Sequence, residues 1–159
     1  MNFFLHIVAI IAMGAPNILG FNMLFGRGKI FHFGPLGVSI VAAYTTFLIT
    51  MATGSYLIGI LSGLVTTLLV SSFFAWLSLR LDTDGFGVMS IAVHLGLLAV
   101  VLNWSSVTRG ALGIPRVPRF SFLDSTLDFA LFSTVVAAVW MYILWRIDQG
   151  PFGRKLIAL

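Results

Sequence analysis

The sequence of 159 residues has no cysteine and few charged residues. The missing cysteine excludes a disulfide and a thiolate metal site, although it says little about the compartment. Only 9% of the residues are charged, whereas soluble domains have about 25%. The five acidic residues fall in loops or at the ends of apolar runs. A proton-coupled carrier usually needs a buried carboxylate, so this distribution argues against one.

Apolar residues take the place of the missing charges. The chain is 59% hydrophobic, with a mean hydropathy of +1.06. A soluble fold of this length keeps too much of its surface in contact with water to hide so much apolar area. In lipid, backbone groups cannot bond to water, so only helices and closed β-barrels satisfy them. Barrel strands alternate apolar and polar residues, whereas the apolar runs here are continuous, which favours helices. We therefore predict an all-α, polytopic transmembrane bundle that forms one domain over residues 1–159.

Five apolar stretches have about the length that a membrane span needs. They cover about Phe3–Phe25, Leu36–Ala52, Ser55–Leu79, Phe86–Trp104 and Leu127–Trp145. No basic residue precedes Arg27. We therefore expect the first stretch to stay as an anchor and not to be removed as a signal peptide.

The basic residues indicate an orientation. Six of them would lie on one side of the membrane and three on the other; the six are Arg27, Lys29, Arg80, Arg146, Arg154 and Lys155, and the three are Arg109, Arg116 and Arg119. The positive-inside rule then predicts an external amino terminus and a cytoplasmic carboxyl terminus. Because these residues flank apolar runs singly or in pairs, they do not indicate a nucleic-acid partner.

Small residues recur at every fourth position of the third stretch. They are Ser55, Gly59, Gly63, Thr67 and Ser71. This spacing places them along one helix face, where backbones can approach closely and hydroxyl groups can bond across the contact. Ala130, Thr134 and Ala138 repeat the pattern in the fifth stretch. Packing inside a bundle and dimerisation are both open interpretations, with packing favoured.

The first stretch is interrupted by polar and helix-breaking residues. Gly14, Pro16, Asn17, Gly20 and Asn22 fall within it. Pro16 removes one backbone donor, which either kinks the helix or marks a broken helix on a solute path. Residues 26–37 hold four glycines and a proline and are predicted to lack regular helix. They lack the ending of a phosphate-binding loop, so nucleotide binding is not expected.

Three histidines are the remaining ionisable candidates. His6, His32 and His94 are far apart in sequence, so no metal site is predicted. His94 lies within the fourth stretch, where an ionisable residue is a functional candidate, although a buried structural histidine is the favoured alternative. No arrangement of serine, histidine and acid suggests an intramembrane enzyme.

Four segments together resemble the permease subunits of branched-chain amino acid ABC transporters. The first is LGFNMLFGRGKIFHFGPLGVSIVAAY at residues 19–44, where Gly20, Asn22, Gly26, Gly34 and Tyr44 fit the family pattern, with alanine before the tyrosine. The others are LRLDTDGFGVMSIAVHLGLLAVVLNW at 79–104, GALGIPRVP at 110–118 and PFGRKL at 151–156. Their order and spacing agree with the family across most of the chain.

The resemblance implies a subunit that lines a path for branched-chain amino acids or similar small polar solutes in the inner membrane of a prokaryotic cell. It implies a second permease, cytoplasmic ATPases that hydrolyse the ATP, and an extracytoplasmic solute-binding protein as partners. Asn22 and Tyr44 become candidates for the path, together with His94, although a hydrogen bond to a neighbouring helix is the favoured alternative for Asn22. Arg154 and Lys155 would lie near the ATPase. No cofactor on the chain itself is implied.

The resemblance also has departures. Asp82 and Asp84 replace a more basic pattern in the family. The family continues beyond the Phe-Gly-Arg segment into a coupling helix, so the chain resembles an amino-terminal portion of such a permease. A membrane scaffold or assembly subunit without transport activity is the alternative.

Overall fold

The computed structural model describes residues 2–115, 117 and 120–157, and these residues are helical with short connections. The α-helices are α1 (Asn2–Phe21), α2 (Gly34–Thr53), α3 (Tyr56–Ser78), α4 (Thr83–Asn103), α5 (Ser105–Thr108), α6 (Thr126–Gln149) and α7 (Pro151–Ile157). A π-helical segment, Asn22–Arg27, continues α1, and single 3₁₀ turns lie at Gly110–Leu112 and Ser121–Leu123.

Five of these helices are long and apolar enough to cross a membrane. They are Phe3–Arg27, Gly34–Thr53, Tyr56–Ser78, Thr83–Asn103 and Thr126–Gln149. Each lies within a few residues of a stretch predicted from hydropathy. The prediction of an all-α bundle with about five spans is therefore confirmed.

The chain forms two compact units. Unit 1 comprises Met1–Ile30 and Arg119–Leu159, and unit 2 comprises Phe31–Pro118. Unit 1 is built from α1, α6 and α7, whereas unit 2 holds α2 to α5. The assignment of residues 1–159 to one domain stays a prediction.

In unit 1, α1 packs against α6. The buried face of α6 holds Ala130, Ser133 and Ala137, while Thr134 and Ala138 are exposed. The buried small residues of this helix therefore lie one position before two of the predicted ones, at 133 and 137 instead of 134 and 138. The last residue of the π-helical segment, Arg27, pairs with Asp148 near the end of α6, so α1 and α6 run in the same direction.

Pro16 does not break α1. The helix continues from Asn2 to Phe21, and the departure from α-helical geometry comes later, at Asn22. A proline inside a helix removes one backbone hydrogen bond. Packing against a neighbouring helix can compensate for this loss, so the α-helix continues past the proline. The π-helical segment ends with Gly28 N–H donating to the Met23 carbonyl at 3.0 Å.

In unit 2, α2 and α3 form an antiparallel hairpin. Gly54 ends α2 in the left-handed conformation (φ +67°), and its N–H donates to the Thr50 carbonyl. Gly59 and Gly63 are buried against α2: a Cβ at Gly59 would meet the Thr50 hydroxyl and lie 2.8 Å from the Thr46 carbonyl oxygen. The absence of side chains at these two positions allows the helices to approach closely.

The other members of the predicted α3 stripe differ in exposure. Ser55 is the residue before the helix, Thr67 is half-buried and Ser71 is exposed. The Thr67 hydroxyl donates to the Gly63 carbonyl of its own helix at 2.8 Å instead of bonding across a contact. A hydroxyl in lipid needs a partner, and the carbonyl one turn earlier is always within reach.

The two ends of α4 are held by local hydrogen bonds. The Asp82 carboxylate accepts from Gly85 N–H at the amino end, which satisfies one of the free donors there. At the other end, the buried Thr108 hydroxyl lies 2.6 Å from the Val101 carbonyl oxygen and accepts from Gly110 N–H. These bonds fix the chain as it leaves the span.

The segment between the first two spans is less irregular than predicted. α2 already begins at Gly34 and has a proline in its first turn. Proline is compatible with the first helical turn, because the N–H that it lacks has no helical partner there. The prediction of no regular helix over residues 26–37 was therefore wrong for residues 34–37.

Candidate functional site

Unit 1 has a groove between α1 and α6. Its volume is about 550 Å³. It is lined by Ala12, Met13, Pro16 and Asn17 from α1 and by Phe129, Phe132, Ser133, Val136, Ala137, Trp140 and Leu144 from α6. We call it the α1–α6 groove. Because these residues belong to the middle of two spans, the groove lies at membrane depth.

Three of the residues that line this groove carry a polar group with unused hydrogen-bonding capacity. The side-chain amide of Asn17 makes no hydrogen bond within the described part of the chain. The Ser133 hydroxyl donates to the Phe129 carbonyl at 2.7 Å and keeps its acceptor capacity. The Ala12 carbonyl has lost its regular helical donor, since residue 16 is proline.

This arrangement can bind a small solute with both polar and apolar parts. An amide supplies two donors and an acceptor, while the neighbouring phenylalanine, valine and tryptophan side chains contact hydrocarbon. An unpaired amide in the middle of a span is costly in lipid, which makes it a candidate for function. Sequence reasoning noted Asn17 as an interruption but did not place it on the path, and it missed Ser133.

The predicted path residues lie in different settings. Asn22 starts the π-helical segment of unit 1 and is exposed. In unit 2, Tyr44 is half-buried in α2, and His94 lies in α4 against Gly37 of α2. The His94 Nδ1 atom is buried and has no hydrogen-bond partner in the described part of unit 2. A role for these three residues on a solute path stays a prediction.

His32 forms a cluster that the sequence did not reveal. Its ring centroid lies 4.8 Å from that of Phe74 and 4.9 Å from that of Phe86. Burial lowers the pKa of His32, since the charged form loses solvation. Its Nδ1 accepts from Gly34 N–H at 3.4 Å, which requires that nitrogen to be unprotonated. The packing therefore selects the neutral imidazole at the start of α2.

The adjoining residue anchors the same segment to α4. Phe33 N–H donates to the Ser90 hydroxyl oxygen at 3.0 Å, and that hydroxyl donates to the Gly87 carbonyl at 2.8 Å. Ser90 is fully buried. His32 and Phe33 lie in a loop, where no hydrophobic periodicity indicates which helices they contact. Their contacts with α3 and α4 therefore could not be predicted from the sequence.

Charged residues gather where α6 of unit 1 ends. Arg27 and Asp148 form an ion pair of 2.8 Å, with the Asp148 side chain 15% exposed. Arg154 donates to the Gln149 carbonyl at 3.0 Å. Arg154 and Lys155 are exposed on α7, and their predicted proximity to an ATPase stays a prediction. Within residues 2–115, 117 and 120–157, no three metal-ligating side chains come together.

Comparison with known families identifies the chain. The family model described as the permease component of branched-chain amino acid transport systems matches residues 1–159. The chain belongs to this family. The resemblance found in four segments is therefore confirmed over the whole sequence. Comparisons with curated proteins and with solved structures gave no match.

The family and the five apolar helices together define the permease in general terms. It is a multi-pass membrane protein and a permease component of a transport system. A family of permeases implies translocation and not catalysis. Among the described residues, the α1–α6 groove combines membrane depth with the unpaired amide of Asn17, and it is therefore the candidate site.

Proposed function

We propose that this permease is a subunit of an ABC importer and forms part of the translocation path for branched-chain amino acids or similar small polar solutes. The observation that supports this is the α1–α6 groove, in which Asn17 faces apolar walls. An apolar wall suits an aliphatic side chain, and an amide suits a carboxylate or an amino group. Branched-chain amino acids, the solutes for which the family is described, combine an aliphatic side chain with a carboxylate and an amino group.

The proposed partners follow from the need for energy. In the described spans, Asp84, Asp128 and Asp148 lie in the first or last turn of a helix, and Asp148 is paired with Arg27. No carboxylate in the middle of a span suggests proton coupling, so a separate cytoplasmic ATPase would hydrolyse ATP. A second permease would complete the path, and an extracytoplasmic binding protein would deliver the solute. Rocking of the helix bundles would give alternating access. Arg154 and Lys155 on α7 would lie near the ATPase.

The proposed location is the inner membrane of a prokaryotic cell, with the amino terminus outside. The basic residues favour this orientation, since six of the nine would then be cytoplasmic. The chain has no cysteine, so single cysteines report cleanly. We expect Leu112→Cys, at a position that is 85% exposed, to react with an impermeant maleimide from outside. Lys155→Cys should react only after permeabilisation, and the reverse pattern would refute the orientation.

The solute path is tested by Asn17→Leu. In proteoliposomes that hold the proposed complex, ATP-driven uptake should fall about five- to tenfold, since one lost hydrogen bond costs about 1–1.5 kcal/mol. Asn17→Gln, which keeps the amide, should retain part of the uptake. The matched control is Ile18→Ala, because Ile18 is 69% exposed and does not line the groove.

The same experiment separates the alternative class. A membrane scaffold without a solute path would show no difference between Asn17→Leu and Ile18→Ala. Equal uptake by both variants, with equal amounts of assembled complex, would remove the groove from the path.

A further inference from the structure

A second groove of unit 1 lies where α6 meets α7. Its volume is about 620 Å³, and its lining includes Tyr142, Ile143, Arg146, Ile147 and Phe152. We call it the interfacial groove. It lies at the end of a span, where aliphatic residues give way to charged ones. Tyr142 and Trp145, whose rings are 6.0 Å apart, are of the type that sits at the level of lipid headgroups.

Arg146 is the positively charged residue among those that line this groove, and its charge does not take part in an ion pair of the described residues. Among the described residues its guanidinium forms no ion pair or hydrogen bond. The nearest carboxylate along α6, Asp148, is already paired with Arg27. The Arg154 guanidinium is bound to the Gln149 carbonyl. Arg146 therefore presents a free guanidinium at the wall of an otherwise largely apolar groove.

The chemistry of the lining points to one occupant. A guanidinium offers a planar set of donors that matches phosphate oxygens. The walls formed by Ile143, Ile147 and Phe152 are exposed, and Phe152 is 60% exposed. Such walls suit an acyl chain next to a headgroup at the membrane surface. We propose that the interfacial groove binds an anionic phospholipid, with its phosphate on Arg146 and its acyl chain along the apolar wall.

Lipid retention tests this proposal on the full chain. The purified protein, reconstituted with equal amounts of phosphatidylglycerol and phosphatidylcholine, is released into the gas phase, and the retained lipids are counted by native mass spectrometry. We expect preferential retention of phosphatidylglycerol. Arg146→Gln should reduce this preference about fivefold, the effect of about one basic residue at an anionic surface. Arg146→Lys should keep part of it, because the charge remains while the planar donor set is lost.

Arg80→Gln is the matched control. Arg80 follows α3 of unit 2 near the end of another span, stands over the Trp76 ring at 5.8 Å and is not among the residues that line the groove. It should retain the wild-type preference. An equal loss in both glutamine variants would mean a diffuse charge effect and would overturn the site. An unchanged preference in Arg146→Gln would overturn it too, and helicity by circular dichroism checks that each variant is folded.

Discussion

Replacing Gly59 with alanine is expected to lower the free energy of unfolding of unit 2 by about 1–3 kcal/mol, the usual cost of overpacking. The added Cβ would meet the Thr50 hydroxyl and lie 2.8 Å from the Thr46 carbonyl oxygen. The second neighbour is backbone, so a rotamer change cannot relieve it. The two helices of the hairpin would have to separate, and Gly59→Leu should prevent the hairpin from forming.

Gly96→Ala provides the control for this variant. Gly96 lies in α4 of the same unit, and a Cβ there would have no neighbour within 4 Å. Alanine should be neutral or stabilise the helix by up to about 1 kcal/mol, because it forms helix better than glycine. The measurement is unfolding in detergent followed by circular dichroism. A Gly59→Ala protein as stable as Gly96→Ala would contradict the close α2–α3 contact.

Replacing Gly153 with alanine is expected to displace α7 from the end of α6. A Cβ at Gly153 would meet the Asp148 carbonyl oxygen and lie 2.8 Å from the Asp148 Cα. The displaced backbone carries the carboxylate that pairs with Arg27. We therefore expect a loss of about 1–3 kcal/mol in unit 1, as for other overpacked sites. If α7 contacts an ATPase as proposed, uptake by the reconstituted complex should fall as well.

Gly14→Ala is the control in unit 1, since a Cβ at Gly14 would have open space around it. Both variants are compared by thermal unfolding and by trypsin cleavage at Arg154 and Lys155. Faster cleavage of Gly153→Ala than of Gly14→Ala is the expected result. Equal cleavage and equal stability would show that α7 does not depend on this glycine.

The spans and the family could be predicted from sequence because both depend on local sequence features, namely hydropathy and short motifs. Neither feature requires knowledge of the tertiary contacts. Hydropathy over about twenty residues finds a span wherever the chain enters lipid. The Phe-Gly-Arg segment at residues 152–154 is part of one of the four segments that resemble the family. The fold gives its glycine a physical reason, since a Cβ there would meet the Asp148 backbone.

Helix rotation could not be predicted in the same way. In lipid, the outward face of a helix is as apolar as the inward face, so no hydrophobic contrast marks the packed side. The small-residue face of α6 was therefore assigned to Thr134 and Ala138, whereas Ser133 and Ala137 are buried. The two asparagines of α1 and its π-helical continuation show the same difficulty. The resemblance to the family made Asn22 a candidate for the path. That Asn17 lines the groove depends on the rotation of α1 against α6, which hydropathy does not indicate.

We propose that this permease forms part of the solute path of an ATP-driven importer. Uptake of a radiolabelled branched-chain amino acid is measured in proteoliposomes that contain the second permease, the ATPases and the binding protein, with and without this chain. We expect ATP-dependent uptake only when the chain is present. Equal uptake in its absence would show that the chain is not part of the solute path.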